Sequence, residues 1–309
     1  SGGAWVGACG VCALAVVPSQ AAAVTCDFRA SPAGRRTRAS RLGYHRPMPT
    51  MPAAPPAAEV ERWLELLYVA TGDATLRVED RRKAVEVAAV LAEIGAALRR
   101  ASRRRRFVLV DTAAGKSYVG LLAARLLIEP DGRDALVVTL ERDPARVAAS
   151  RAALARLDTT VPVECRAADV SEPSAWPDDP SLVVALHACG PAADAIIDRS
   201  IASRAAALLL VPCCTSSAVP AAAMAEAAAG PAGIARHAPV RRRFVQAMVD
   251  TERTWRLEAA GYETEVVEFV GALVTPHNLL WRGRRVGEPV RMERARQALA
   301  RWRERFGGQ

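Results

Sequence analysis

From Phe107 to Val211 short unbroken apolar runs alternate with segments of helical period, and no other feature of the chain restricts its fold as much. Runs at Phe107–Asp111, Ala135–Leu140, Val161–Arg166, Leu182–Leu186 and Ala206–Val211 read as strands. Between them, Gly115–Ile128, Pro144–Leu157 (with proline in its first turn) and Ala192–Ala202 read as helices. A strand apolar along its whole length is covered on both faces. Alternated with helices, such strands form a parallel sheet wound by right-handed crossovers. The expected class is therefore α/β, with a Rossmann-like, mostly parallel sheet. Two late runs, Thr264–Val270 and Asn278–Trp281, sit either side of a short Pro-containing connection and fit an antiparallel hairpin closing one sheet edge. In such sheets ligands lie beyond the carboxyl ends of the strands, so chemistry is expected in the residues that follow each strand.

Helices flank this core in the sequence. From Ala58, Val60, Trp63, Leu64, Leu66 and Leu67 recur at helical spacing. A second helix, about Val78–Arg100, carries Val85, Val87, Val90, Leu91, Ile94 and Leu98 and ends in a basic run through Arg106 that either caps the helix dipole or meets phosphate. Helices are also expected at about Ala221–Ala229, at Arg243–Ala259 (stopped by Gly261) and at Pro289–Phe306, which is basic. Residues 1–57 are rich in Ala, Gly, Pro and Ser and show no period, so they read as a disordered or non-native N-terminal extension. Their apolar run Ala4–Val17 lacks the preceding positive residues of a secretory signal. The organisation is then 58–104 helical, 105–285 catalytic domain and 286–309 basic helix.

The first strand runs into Asp111-Thr-Ala-Ala-Gly115-Lys-Ser117. A tight strand-to-helix turn lets backbone N–H groups meet a ligand closely, and makes Asp111, Ala113, Gly115 and Lys116 candidate cofactor contacts. A P-loop is excluded, because Val110 stands where its upstream glycine belongs. The second strand ends at Glu141, a carboxylate placed to accept ribose hydroxyls, with Asp143 read as the cap of the next helix. The third leads to Asp169, which either accepts an adenine amine or closes a local turn. The fourth and fifth give His187-Ala-Cys189-Gly190 and Pro212-Cys213-Cys214. His187 is a candidate base and cofactor-site residue; Cys213 and Cys214 are candidate nucleophiles or simply packing.

Taken in order, Asp…Gly-Lys, Glu-Arg-Asp, His-Ala-Cys-Gly, Pro-Cys-Cys and Thr275-Pro-His-Asn278 resemble one group of class I methyltransferases. That group includes the eukaryotic methyltransferase-like proteins labelled ribosomal RNA adenine dimethylase domain-containing. The resemblance covers about Ala58 to Arg284, and its specific part is the pairing of His-x-Cys-Gly with Pro-Cys-Cys. It implies S-adenosylmethionine (SAM) as cofactor, held by the Asp111–Ser117 turn, Glu141 and Asp169. Of the group's three alternating glycines only Gly115 is present; Ala113 and Ser117 replace the others. A tRNA ribose methyltransferase family shares the Cys-Gly and Cys-Cys elements, but continues His-His where Thr215-Ser216 stand here.

Charge and cysteine usage bear on partners. The net charge of +9, almost all of it arginine, favours RNA as acceptor, as does the C-terminal helix with Arg291, Arg294, Arg296, Arg301, Arg303 and Arg305. An arginine-rich composition alone gives the same balance. Seven cysteines without framework spacing read as a reducing, cytoplasmic chain without a disulfide scaffold. No metal is expected, since neither Cys9-x-x-Cys12 nor the set His187, Cys189, Cys213 and Cys214 has a common zinc spacing. No stretch suffices to span a bilayer, and oligomeric state is left open. The eroded glycine turn leaves a rival: a non-catalytic SAM- or RNA-binding protein. Protein and small-molecule acceptors also stay open.

Overall fold

Five parallel strands form the centre of the molecule: β1 (Phe107–Thr112), β2 (Ala135–Glu141), β3 (Val163–Ala167), β4 (Leu182–Ala188) and β5 (Ala207–Pro212). Two further strands, β6 (Tyr262–Glu268) and β7 (Leu279–Arg285), pair antiparallel, and β7 adds antiparallel to β5. The order across the sheet is β3-β2-β1-β4-β5-β7-β6. The order of the strands reverses between β1 and β4, so the carboxyl ends of these two parallel strands open the crevice where a ligand fits. The computed structural model describes residues 54–69 and 76–306. Most of the expected N-terminal extension, with Cys9 and Cys12, lies outside them.

The helices are α1 (Ala57–Tyr68), α2 (Val78–Arg100), α3 (Tyr118–Ala123), α4 (Glu129–Asp131), α5 (Pro144–Leu157), α6 (Pro191–Ala202), α7 (Pro220–Ala229), α8 (Ala238–Ala259) and α9 (Pro289–Phe306). Between α3 and α4, residues Ala124–Ile128 form a π turn. Pro130 accounts for it: it has no N–H for the Leu126 carbonyl, and its ring pushes that carbonyl aside. Successive strand residues serve opposite layers. Leu109, Val137 and Val184 pack under α1, α2 and α3, whereas Val110, Val138 and Val183 pack against α6 and α8. Each such buried side chain stabilises the fold by about 1.5–3 kcal/mol.

On α2, Val85 is 36% exposed and Glu86 is buried in its stead. In the basic run after α2, Arg103 binds Asp131 and Arg106 lies 3.3 Å from Asp134, so these two fasten the helix end to the β1–β2 layer. The hairpin strands start and end later or earlier than the sequence suggests, and α8 begins at Ala238. A disulfide joins Cys189 to Cys213, where the sequence reading expected a reducing chain without a disulfide scaffold. Strand adjacency explains it: β4 and β5 are neighbours, and their ends bring two residues distant in sequence within 5.3 Å, Cα to Cα.

Candidate active site

Beyond β1 the chain turns through Ala113, Gly115 and Ser117, all left-handed, with φ of 50°, 59° and 59°. Thus the two replaced glycines keep the glycine backbone, at a cost of about 1–2 kcal/mol for each side chain. Such strain is held where a function needs the backbone shape. A Cβ on Gly115 would meet nothing within 4 Å, and Ser117 Oγ is buried without a hydrogen-bond partner. The turn borders a cleft of about 270 Å³ that also touches Lys83, Asp111, Lys116, Leu186 and His187. An open left-handed turn beside a carboxylate suits the zwitterionic, sulfonium-bearing end of SAM. The residues present therefore fit that cofactor.

Asp111 is buried and accepts the Gly120 N–H at 2.8 Å. Burial pushes its carboxyl up to about 7; the Gly120 bond opposes this and the charge of Glu141 adds to it. Gly120 is required here, since a Cβ would stand 3.0 Å from Asp111 Oδ2 and from Thr139 Cγ2. Glu141, at the end of β2, is buried and accepts the N–H of Gly115 at 2.8 Å and of Asp143 at 3.0 Å. Each of its oxygens keeps a lone pair for a sugar hydroxyl. Asp143 caps α5 through Ala145 N, as expected. Asp169 closes a turn by accepting from the Ser171 N–H and hydroxyl, which hold its carboxyl below the usual range. The turn that carries it is seated against β2, because Ala168 N donates to Glu141 O.

His187 sits at a bulge of β4 with φ 66°, and its Nε2 lies 2.9 Å from Glu86 Oε2. Burial pushes the Glu86 carboxyl up, but bonds from His187 and Lys83 outweigh it and keep the group below its usual range. The carboxylate therefore fixes the imidazole's direction and tautomer. Glu86 carries no motif. Its only sequence signal is a carboxylate four residues before Val90 on the buried stripe of α2. Tyr68 is the other residue without a motif: its hydroxyl donates to Lys116 O at 2.6 Å, so α1 braces the turn from outside.

Across β4 lies a larger cleft of about 930 Å³. Cys213, Cys214, Gln246, His277 and Asn278 line it, with Trp281 among its apolar walls. The Thr275–Asn278 motif frames one side, with Asn278 Nδ2 bound to Val270 O at 3.0 Å. Arg253, buried on α8, grips Asp194 of α6 at 2.9 Å and so fixes the helix that forms the opposite wall. Cys213 is excluded as a free nucleophile by its bond to Cys189, whereas Cys214 is free and exposed. The candidates thus separate: Asp111, Ala113, Gly115, Lys116 and His187 meet at the small cleft, Glu141 adjoins it through Gly115, Asp169 stands apart, and the cysteines face the large cleft.

Residues 82–218 match the family model described as a methyltransferase domain, a span from α2 to just beyond Cys214. No curated protein matches the chain. Among solved structures, magnesium protoporphyrin IX methyltransferase from Synechocystis PCC 6803 with bound SAH is similar at 13% identity, over 72% of this chain and 93% of that one, with a TM-score of 0.41. The SAH-bound Podospora anserina methyltransferase PaMTH1 is similar at 12% identity, over 74% and 87%, with a TM-score of 0.43. Likeness at this level bears on neither substrate nor site. Residues 82–218 are thus similar to methyltransferase domains, and they form the parallel part of an α/β sheet. Among the described residues no helix is long and apolar enough to cross a membrane.

Proposed function

We propose that the protein is a SAM-dependent methyltransferase acting on RNA, of the group marked by His-x-Cys-Gly and Pro-Cys-Cys. One observation carries the cofactor assignment: Ala113 and Ser117 keep left-handed backbone at the two positions where their side chains disfavour it. SAM supplies an electrophilic methyl group on a sulfonium. The protein's part is to align an acceptor and manage its proton. His187, held by Glu86, takes that proton or orients the acceptor through a hydrogen bond. Asp111, Glu141 and the turn bind the cofactor, with Asp169 reaching its base.

The acceptor assignment rests on the large cleft. Arg242 and Arg243 line it, are exposed, and have no carboxylate partner among the described residues. Unpaired arginines beside a wide cleft suit a phosphate backbone. The basic helix α9 adds less than its sequence suggests, because Arg291, Arg296 and Arg303 are paired with glutamates. Calorimetry of the full chain with SAM, followed by transfer of labelled methyl groups into cellular RNA, tests the reading. Saturable heat and nuclease-sensitive label are expected. No heat at high protein concentration returns the non-catalytic alternative, and label in protein or metabolites removes RNA.

On that substrate His187→Ala is expected to lower kcat about a hundredfold and Glu86→Ala about tenfold, with SAM affinity within about twofold for Glu86→Ala. The double variant should be no slower than His187→Ala. Independent, multiplying losses would show that Glu86 does not act through His187.

A further inference from the structure

Three sulfur atoms converge where β4 and β5 end. Cys189 follows β4, and Cys213 and Cys214 follow β5. Cys214 Sγ lies 3.7 Å from Cys213 Sγ, and all three Sγ atoms lie within 4.8 Å of one another. The backbone imposes this meeting. Gly190 N donates to Cys214 O at 3.0 Å, and Cys213 N to Ala188 O at 3.3 Å. Gly190, at φ 52°, brings the two loops so close that a Cβ on it would stand 3.1 Å from Ser216 Oγ. Cys189 and Cys214 are exposed, and Cys213 and Cys214 line the large cleft.

We propose that, once the Cys189–Cys213 bond is reduced, these three cysteines form a binding site for a thiophilic divalent cation, best suited to zinc. Tetrahedral zinc with Zn–S bonds of about 2.3 Å sets its sulfurs about 3.8 Å apart. Cys213 and Cys214 already stand at that separation, and Cys189 falls within the same small envelope. Sequence spacing conceals the site because the ligands come from two crossover-linked strands and not from one finger. His187 is not the fourth ligand, since neither of its ring nitrogens falls within the small envelope of the three sulfurs. Three protein ligands leave one position for water or a donor from the large cleft, the arrangement of zinc sites that act on a bound molecule.

The chemistry balances with a dithiol as reductant. The dithiol gives two electrons and two protons to the Cys189–Cys213 bond and itself closes to a disulfide. The two thiols so formed and the Cys214 thiol then release three protons as one zinc ion takes three thiolates. The ends of β4 and β5 are fastened in both states, by a sulfur–sulfur bond when oxidised and by metal when reduced.

The test uses the full chain, reduced with a phosphine under argon, given zinc ions and freed of excess. Reduced wild type is expected to keep about one zinc per chain, and cobalt(II) in its place should show the intense thiolate charge-transfer absorption of a tetrahedral sulfur site. The oxidised chain should lack this zinc. Cys189→Ser and Cys214→Ser, both at exposed positions, should each weaken zinc binding at least about tenfold, while Cys165→Ser leaves it unchanged. Zinc retained equally by a Cys189→Ser, Cys213→Ser, Cys214→Ser triple variant overturns the proposal, as does reduced wild type without the cobalt absorption. Neither readout involves SAM or RNA, so failure of the methyltransferase reading leaves this test intact.

Discussion

Glu141→Ala is expected to weaken SAM binding by about a hundredfold or more and to lower stability by about 2–3 kcal/mol. The Glu141 carboxylate ties the turn after β1 to the turn after β2, taking the N–H of Gly115 at 2.8 Å and of Asp143 at 3.0 Å. Without it two N–H groups lose a charged acceptor, and the left-handed turn loses the contact that holds its central residue. The same oxygens carry the spare lone pairs for a ribose. Two charge-assisted bonds to sugar hydroxyls are together worth about 3 kcal/mol, which is the hundredfold in affinity. Glu141→Gln separates the two roles. Its single carbonyl can still accept one N–H while its NH2 faces the other, so about half of the lost stability should return while affinity stays low. Calorimetric titration with SAM and denaturant unfolding of both variants measure this. Unchanged SAM affinity in Glu141→Ala would remove the carboxylate from the cofactor site.

The sheet was legible because its signal is the strongest a sequence offers: β1, β2, β4 and β5 are apolar at nearly every residue and carry Asp111, Glu141, His187 and Pro212 at or next to their carboxyl ends. The positions of Asp111, Glu141 and His187 followed from strand ends alone. What stayed hidden depends on contacts between distant segments. Glu86 and His187 are separated by 101 residues, and Tyr68 and Lys116 by 48. No local period encodes such pairs. The turn shows the limit most plainly. Ala113 and Ser117 read as erosion of a glycine motif, yet the backbone conformation survives them, because Gly115 N, Ala114 N and Ser117 N are all bound and overdetermine the path. Likewise the close-packing glycine stands at Gly120, where only the structure shows Asp111 and Thr139 against it. The Cys189–Cys213 bond was hidden for a related reason: spacing rules describe cysteines of one loop, and these two follow different strands.

Asp111→Asn is expected to stabilise the protein at pH 8 by a few kcal/mol and to flatten its stability between pH 5 and 8. In the folded chain burial raises the Asp111 carboxyl to about 7, from an ordinary value of 3.8. Between these values the folded state holds a proton that the unfolded chain has released. Stability therefore falls as pH rises through this window: the contribution is fully present below about 4 and lost above about 7. The loss is on the order of 4 kcal/mol for a group so deeply buried. Asparagine has nearly the same shape, its carbonyl can accept the Gly120 N–H, and it carries no charge to bury. Urea unfolding of both proteins at pH 5, 6, 7 and 8 checks the expectation; curves that run parallel across the range would show that Asp111 does not titrate there. Cofactor binding should reverse the benefit. Asp111 lines the small cleft, and a cation placed there favours its ionised form. SAM binding to the wild type near pH 7 should then release a proton, seen as a dependence of calorimetric heat on the buffer's ionisation enthalpy. Asp111→Asn should bind SAM more weakly and release none, so one carboxylate that destabilises the free protein at pH 8 supports the complex.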